Sequence, residues 1–303
     1  MAINSDPVMH QEFINETVGR YHEFFKKVTD DSDTDTRNVK VLSPTTSGDG
    51  DDFDSGIENE TIFIDEDYLL RKGMVSVKDN RGKLPINDEV RAIKHKLVNN
   101  AFGAGSESHE NGNLVMITSA SPNEGKTFSA INLALMLSLE KNKSVLLVDA
   151  DVRKPSVNKS LGIKTYPGLI DYLKGDVESA DQVIYNTSIK NLRLMPAGDS
   201  HHLSYEFLAS DKMVNLAKEL ATRYSNRMVI FDCPPLLGVI ETISLSRYVG
   251  QVVVVVEHHK SKMANVIEAV SHLDERLAVG FIINKSVNNE LSQYGYGYGY
   301  GYQ

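Results

Sequence analysis

The sequence predicts an α/β fold, a mostly parallel sheet with helices on both faces, and three observations carry that reading. Short apolar runs alternate with helical stretches along residues 86–283. Each run is apolar on both sides of its two-residue period, as a strand covered on both faces must be. The chemically loaded motifs fall where such strands end, and ligands of parallel sheets sit beyond the carboxyl ends of the strands.

In chain order, Ile14, Val18, Tyr21, Phe25 and Val28 recur at helical spacing and give residues 1–30 one amphipathic face. Such a helix either packs on its own domain or docks on a partner or membrane surface. Residues 31–60 are rich in Ser, Thr, Asp and Gly and are expected to form an acidic flexible linker. Between Asp30 and Asp67, thirteen acidic residues face only Arg37 and Lys40, in a chain of net charge −9. The acidity therefore belongs to this segment, and the remainder is close to neutral.

Residues 61–290 are expected to form one domain. Its first part, with Ile62-Phe63-Ile64 and Tyr68-Leu69-Leu70, leaves the element type open. A helix over 86–100 follows, then a strand over Leu114–Ile117 and a helix over Lys126–Leu139. Further strands are expected at Val145–Val148, Leu192–Met195, Met228–Phe231, Val252–Val256 and Val279–Ile283. Strands alternating with helices imply right-handed crossovers.

Composition excludes several classes. No basic stripe is present, so no nucleic-acid partner is expected. No 18-residue apolar stretch exists, so no transmembrane helix is expected, and the N-terminus lacks the plan of a signal peptide. Cys233 is the single cysteine, which rules out an intrachain disulfide and fits a reducing cytoplasm. Lying in an apolar run, it is expected to be a buried small hydrophobe. His258 and His259 follow a strand without a third ligand nearby and are expected to be loop histidines.

Between the first strand and its helix lies Ala120-Ser121-Pro122-Asn123-Glu124-Gly125-Lys126-Thr127. This is GxxxxGK[ST] with Ala at the first position, the signature of a P-loop NTPase. In such a loop backbone N–H groups and a helix N-terminus meet the phosphates of ATP. Lys126 would reach the β and γ oxygens, and the Thr127 hydroxyl would ligate Mg²⁺. Gly125 permits close backbone approach, and Asn123 tolerates the positive φ that glycine commonly supplies there. The run Val145–Val148 ends in Asp149 and Asp151, which alternation places on one side. Two such carboxylates make a cation site, or one base and one ligand. The run Met228–Phe231 ends in Asp232, placed to hold Mg²⁺, and Pro234 and Pro235 stop that strand. At the C-terminus, residues 291–303 carry Tyr294, Tyr296, Tyr298, Tyr300 and Tyr302 alternating with glycine.

Together these motifs resemble the bacterial tyrosine kinases of exopolysaccharide and capsule assembly, most closely the branch found beside exosortase-linked genes. The family's SxxPGEGKS/T loop is matched by Ser119 to Thr127, with Asn123 replacing a glycine. Its DxDxRxP motif is matched by Asp149, Asp151, Arg153 and Pro155, and its DxPP motif by Asp232, Pro234 and Pro235. The resemblance implies an ATP- and Mg²⁺-dependent protein-tyrosine autokinase that phosphorylates its own C-terminal tyrosines. It implies nucleotide contacts from Pro122 through Phe128, with Asn284 at the adenine. Lys126 is then a catalytic residue, Thr127, Asp151 and Asp232 organise the metal, and Asp149 is the base or orienter for the tyrosine. The family's ExxRxxR helix, which builds a ring that feeds each tail to a neighbour, appears here as Asp88, Arg91 and Lys94. The family's NPxELL segment is replaced by Leu203-Ser204-Tyr205-Glu206-Phe207-Leu208. Also implied are a homo-oligomer, a membrane-bound regulator of polysaccharide chain length, and an opposing tyrosine phosphatase. The expected location is cytoplasmic, held peripherally at the inner membrane through that partner.

Two other readings share the fold. A positioning or partitioning ATPase would carry a lysine where Ser121 stands, and its tail would lack the tyrosines. A reductase sharing an iron–sulfur cluster would need two cysteines per subunit. A Tyr/Gly segment acting only in condensation or adhesion would survive exchange of its tyrosines for phenylalanine.

Overall fold

The computed structural model describes residues 60–75, 77, 85–103, 110–224 and 226–286. All lie in the unit Glu58–Gln303. The helix expected over residues 1–30, the linker up to residue 59, and Tyr294, Tyr296, Tyr298, Tyr300 and Tyr302 lie outside the described residues.

Seven strands form one sheet: β1 (Leu114–Ser119), β2 (Ser144–Asp149), β3 (Tyr185–Asn186), β4 (Leu192–Met195), β5 (Arg227–Asp232), β6 (Gln251–Glu257) and β7 (Ala278–Asn284). Their order is β3-β4-β2-β5-β1-β6-β7. Every pairing is parallel except that of β3 with β4. The helices are α1 (Glu66–Arg71), α2 (Pro85–Phe102), α3 (Lys126–Ser138), α4 (Val157–Leu161), α5 (Leu169–Lys174), α6 (Ser204–Leu208), α7 (Asp211–Thr222), α8 (Ile240–Ser246) and α9 (Met263–Ser271). None of the described helices is long and apolar enough to cross a membrane.

Alternation explains the layers. Val115, Ile117, Val145, Leu147, Met228, Ile230, Val253 and Val255 share one core with Ile131, Leu133 and Leu135 of α3 and with Val90 and Leu97 of α2. Leu114, Met116, Leu146, Val148, Val229, Phe231, Val252 and Val254 alternate with them and are buried to the same degree. Both faces of the sheet are therefore out of water, which is why the strands are continuous apolar runs. Cys233 is buried as expected.

The residues whose element type was open form a strap. Ile62 bridges to Thr187 beyond β3, and Ile64 N donates to Ser188 Oγ at 3.0 Å. Ile62, Ile64 and Leu69 are buried whereas Phe63 is exposed. Asp65 caps α1 by accepting from the amides of Asp67 and Tyr68, an N-terminal cap of the ordinary kind. The strap then reaches α3, where Val75 N donates to Asn132 Oδ1 at 2.7 Å.

Of Asp88, Arg91 and Lys94, expected together at an oligomer interface, Lys94 does not reach the surface. Asp88 and Arg91 are exposed and pair with each other at 3.4 Å. Lys94 is buried and binds Glu140 just beyond α3. A helix turns about 100° per residue, so three residues spaced by three spiral through roughly 120°. The third has rotated into the seam between α2 and α3.

Candidate active site

The phosphate loop follows β1, and Gly125 caps α3 with φ 105°. The left-handed backbone there demands glycine, and a Cβ, 1.9 Å from Asn284 Nδ2, would also displace that side chain. Asn123 adopts φ 67°, as its side chain allows. Lys126 is buried at the head of α3, its Nζ 3.9 Å from Asp151 Oδ2.

Asp232 and Asp149 are register partners at the ends of adjacent strands β5 and β2. The chain after Asp232 is pinned to β1, since Cys233 N donates to Ile117 O at 3.0 Å and Thr118 Oγ1 to Pro234 O at 2.7 Å. Asp232 Oδ2 accepts from Thr127 Oγ1 at 2.6 Å. Its Oδ1 is buried and has no hydrogen-bond partner among the described residues. Burial pushes the Asp232 carboxyl up to about 7, against the pull of the Thr127 hydroxyl. Asp151 is also raised by burial and held back by Lys126.

Asp149 differs. Its Oδ1 accepts from Asp151 N at 3.2 Å, and its Oδ2 from Ser156 N and Val157 N at 3.2 and 3.1 Å. Burial first, and then the charge of Asp232, raise its carboxyl well above the usual carboxylate range. Both oxygens are thus committed to shaping the loop from Asp151 to Val157. The geometry gives Asp149 the part of holding this turn. The strand ends at Asp149, and Asp151 opens the turn that it holds, close enough for its charge to raise the Asp149 carboxyl further.

Three other expected nucleotide contacts are spoken for internally. The Phe128 ring packs against the core, which leaves only its backbone to a ligand. The Glu124 carboxylate is buried and accepts from Ser121 N at 2.8 Å. The Asn284 side chain, expected at an adenine, donates to the Glu124 carbonyl at 2.9 Å. Pro122 and Asn123 are exposed at the loop's rim.

One residue of the site had gone unnoticed. Ser156 Oγ lies 2.6 Å from Thr127 Oγ1, which joins the loop after β2 to the phosphate loop. Its signal was slight: a hydroxyl residue after Pro155, at the N-cap of the short helix α4.

The donor set suits Mg²⁺. Thr127 and Asp232 offer hard oxygen ligands, and Asp232 Oδ1 is an orphaned buried acceptor that a cation would satisfy. No group of three or more His, Cys, Asp or Glu able to hold a metal occurs among the described residues. Mg²⁺ needs none, since it commonly takes one or two carboxylates and completes its shell with water and phosphate.

Sheet, loop and paired strand-end carboxylates define a nucleotide-binding domain of the P-loop kind, and residues 115–287 match the family model described as an AAA domain. Tyrosine-protein kinase YwqD of Bacillus subtilis is 36% identical over 184 residues, covering 60% of this chain and 76% of that protein. Tyrosine-protein kinase ptk of Acinetobacter johnsonii is 30% identical over 223 residues, 71% of this chain. The chain spans 30% of the length of that protein. Among solved structures, the VpsO kinase domain superposes with a TM-score of 0.56 at 30% identity, covering 66% of this chain and 96% of that one. The chain belongs to the bacterial tyrosine-protein kinases, within the AAA domain family.

Proposed function

We propose that the protein transfers the γ-phosphoryl group of ATP to tyrosine hydroxyls of its own C-terminal cluster, delivered by a neighbouring copy. The observation that carries this reading is the joining of Thr127 to Asp232 at 2.6 Å, with the buried Asp232 Oδ1 left over beside Lys126 and Asp151. The loop amides and Lys126 bind and orient the phosphates. Thr127 and Asp232 hold Mg²⁺, which when bound neutralises phosphate charge. Asp149 holds the turn that places Asp151 and Ser156. Asp151, which the resemblance implied as a metal organiser, is instead the group that takes the phenol proton, its carboxyl raised by burial. A tyrosine O–P bond forms, the bond from the γ-phosphorus to the bridging oxygen breaks, and ADP leaves with that oxygen. Such transfers need positioning and charge stabilisation more than covalent chemistry.

Tyr294, Tyr296, Tyr298, Tyr300 and Tyr302 are the acceptors, and the intervening glycines let each hydroxyl reach the same site in turn. The exposed Asp88–Arg91 pair on α2 is the contact between copies. The biological setting is polysaccharide polymerisation and export, in the cytoplasm beneath a membrane-bound regulator, with a tyrosine phosphatase resetting the tail. The test is incubation of the purified chain with Mg-ATP and mapping of phosphate by mass spectrometry. Wild type should label the last ten residues, and Lys126→Met should not. Exchange of all five tyrosines for phenylalanine should remove nearly all labelling; persistent labelling elsewhere would refute self-phosphorylation of the tail.

A further inference from the structure

The phosphate loop is braced from outside by residues that its own motif does not contain. Asn123 and Lys285 both adopt left-handed backbone, φ 67° and 58°. Asn takes this conformation readily, whereas a lysine seldom does. These two residues meet: Lys285 Nζ donates to the Asn123 carbonyl at 2.8 Å. The same ammonium lies 3.0 Å from Glu257 Oε2. Glu257 N donates to Ser261 Oγ at 2.8 Å, and the Ser261 hydroxyl donates to the buried Glu124 carboxylate. Asn284 Nδ2 holds the Glu124 carbonyl at 2.9 Å, while His258 N donates to the Asn284 carbonyl, also at 2.9 Å. The contacts close a ring from the loop through Ser261, Glu257 and Lys285 back to the loop.

Peptide geometry gives the ring a consequence. Across a planar trans peptide, the carbonyl of one residue and the N–H of the next point in opposite directions. Lys285 on the Asn123 carbonyl therefore fixes the direction of the Glu124 N–H. Asn284 on the Glu124 carbonyl fixes that of Gly125. A phosphate-binding loop works by aiming consecutive N–H groups at the anion. A flipped peptide would turn a carbonyl toward the phosphates instead and would strip Lys285 or Asn284 of its acceptor.

We propose that Lys285 is a positioning residue of the phosphate loop, anchored by Glu257, which aligns the Glu124 amide for nucleotide phosphates by holding the Asn123 carbonyl. The proposal rests on the nucleotide-site reading above but not on the transfer of phosphate. Lys285 acts through the loop, by way of the Asn123 carbonyl.

The test is calorimetric titration of the full chain with Mg-ADP, which requires no chemistry. Lys285→Met should weaken binding about five- to tenfold, the loss of one charge-assisted hydrogen bond at a partly exposed site. Lys285→Arg, which keeps a cationic donor, should bind within about twofold of wild type. Glu257→Gln should cost roughly two- to threefold, because it loosens the anchor and leaves Lys285 in place. Lys260 also pairs with Glu257, at 3.2 Å, but is not bonded to the loop, so Lys260→Met should leave affinity unchanged. Wild-type affinity in Lys285→Met would overturn the proposal. So would an equal loss in Lys260→Met, or a loss in Lys285→Met that arginine fails to restore. Failure of the wild-type chain to bind Mg-ADP at all would overturn the nucleotide-site reading, and this proposal with it.

Discussion

The ends of β2 and β5 lie side by side and look alike, yet they are put to different uses. Each is an apolar strand that closes on an aspartate, and Asp149 and Asp232 are register partners. At β2 the chain turns back over the carboxylate, and three backbone amides converge on Asp149. At β5 the following residues are pulled toward β1, and Asp232 is left with one hydroxyl partner and one orphaned oxygen. Where the chain goes after the strand decides whether a carboxylate becomes a post or a ligand. A post has its lone pairs filled by its own chain. A ligand keeps one to offer.

The sharpest way to break this contrast is to neutralise each aspartate in turn. Asp232→Asn should lower phosphate transfer by about a hundred- to a thousandfold, since it removes a charged metal ligand at the reacting phosphates. Asp149→Asn keeps one of the two acceptor oxygens and should cost no more than about tenfold. The post predicts a different signature, in stability. Asp149→Ala leaves the amides of Asp151, Ser156 and Val157 without their acceptor, at about 1–3 kcal/mol for a buried donor. Its Tm should fall about 2–12 °C below that of Asp149→Asn, at roughly 2–4 °C per kcal/mol for a domain of this size. Equal activity losses in the two Asn variants, with equal Tm for Asp149→Ala and Asp149→Asn, would erase the distinction.

Much of this architecture was legible in the residues. The apolar runs over Val145–Val148 and Val252–Val256 are strands because fully covered strands have no polar face. The glycine, lysine and threonine of the loop, and both strand-end aspartates, stand at the carboxyl end of the sheet as expected. What escaped notice depends on partners distant in sequence. Ile62 earns its strand-like conformation from Thr187, across the sheet edge. Two-residue β3 is too short to show any period. The acceptor role of Asp149 depends on a turn that places Ser156 N and Val157 N above it. Thr127 and Ser156 are 29 residues apart in the chain, and no local spacing joins them.

A gentler probe of the same contrast is pH. Burial raises the Asp232 carboxyl to about 7 and also raises Asp149 and Asp151. A carboxyl whose folded value exceeds its unfolded value binds more protons in the native state. Stability from such a group is present at low pH and is lost as pH rises from about 4 through the folded value near 7. Without nucleotide and Mg²⁺, the chain should therefore melt several degrees higher at pH 6 than at pH 8. Asp232→Asn should remove part of that slope and raise Tm at pH 8 by about 3–6 °C. A wild-type Tm that climbs from pH 6 to 8 would mean that the carboxylates are better solvated or better paired than their surroundings indicate.

The smallest effect is expected on α2, where two basic side chains three residues apart repeat the theme. Arg91 is exposed and paired with exposed Asp88, an arrangement worth little in water. Lys94 is buried on Glu140. Arg91→Ala should leave Tm within about 1 °C, because a surface pair seldom contributes more than a few tenths of a kcal/mol. Lys94→Ala strands the Glu140 carboxylate at a half-buried seam and should cost about 1–3 kcal/mol, or roughly 2–12 °C. If the α2 surface also joins copies, Arg91→Glu should shift the mass measured by light scattering without moving Tm. Lys94→Ala should move Tm first. Loss of stability in Arg91→Ala, with none in Lys94→Ala, would place the packing seam on the wrong side of the helix. It would also undo the inference that a side chain's surroundings, rather than its place in a motif, set its role.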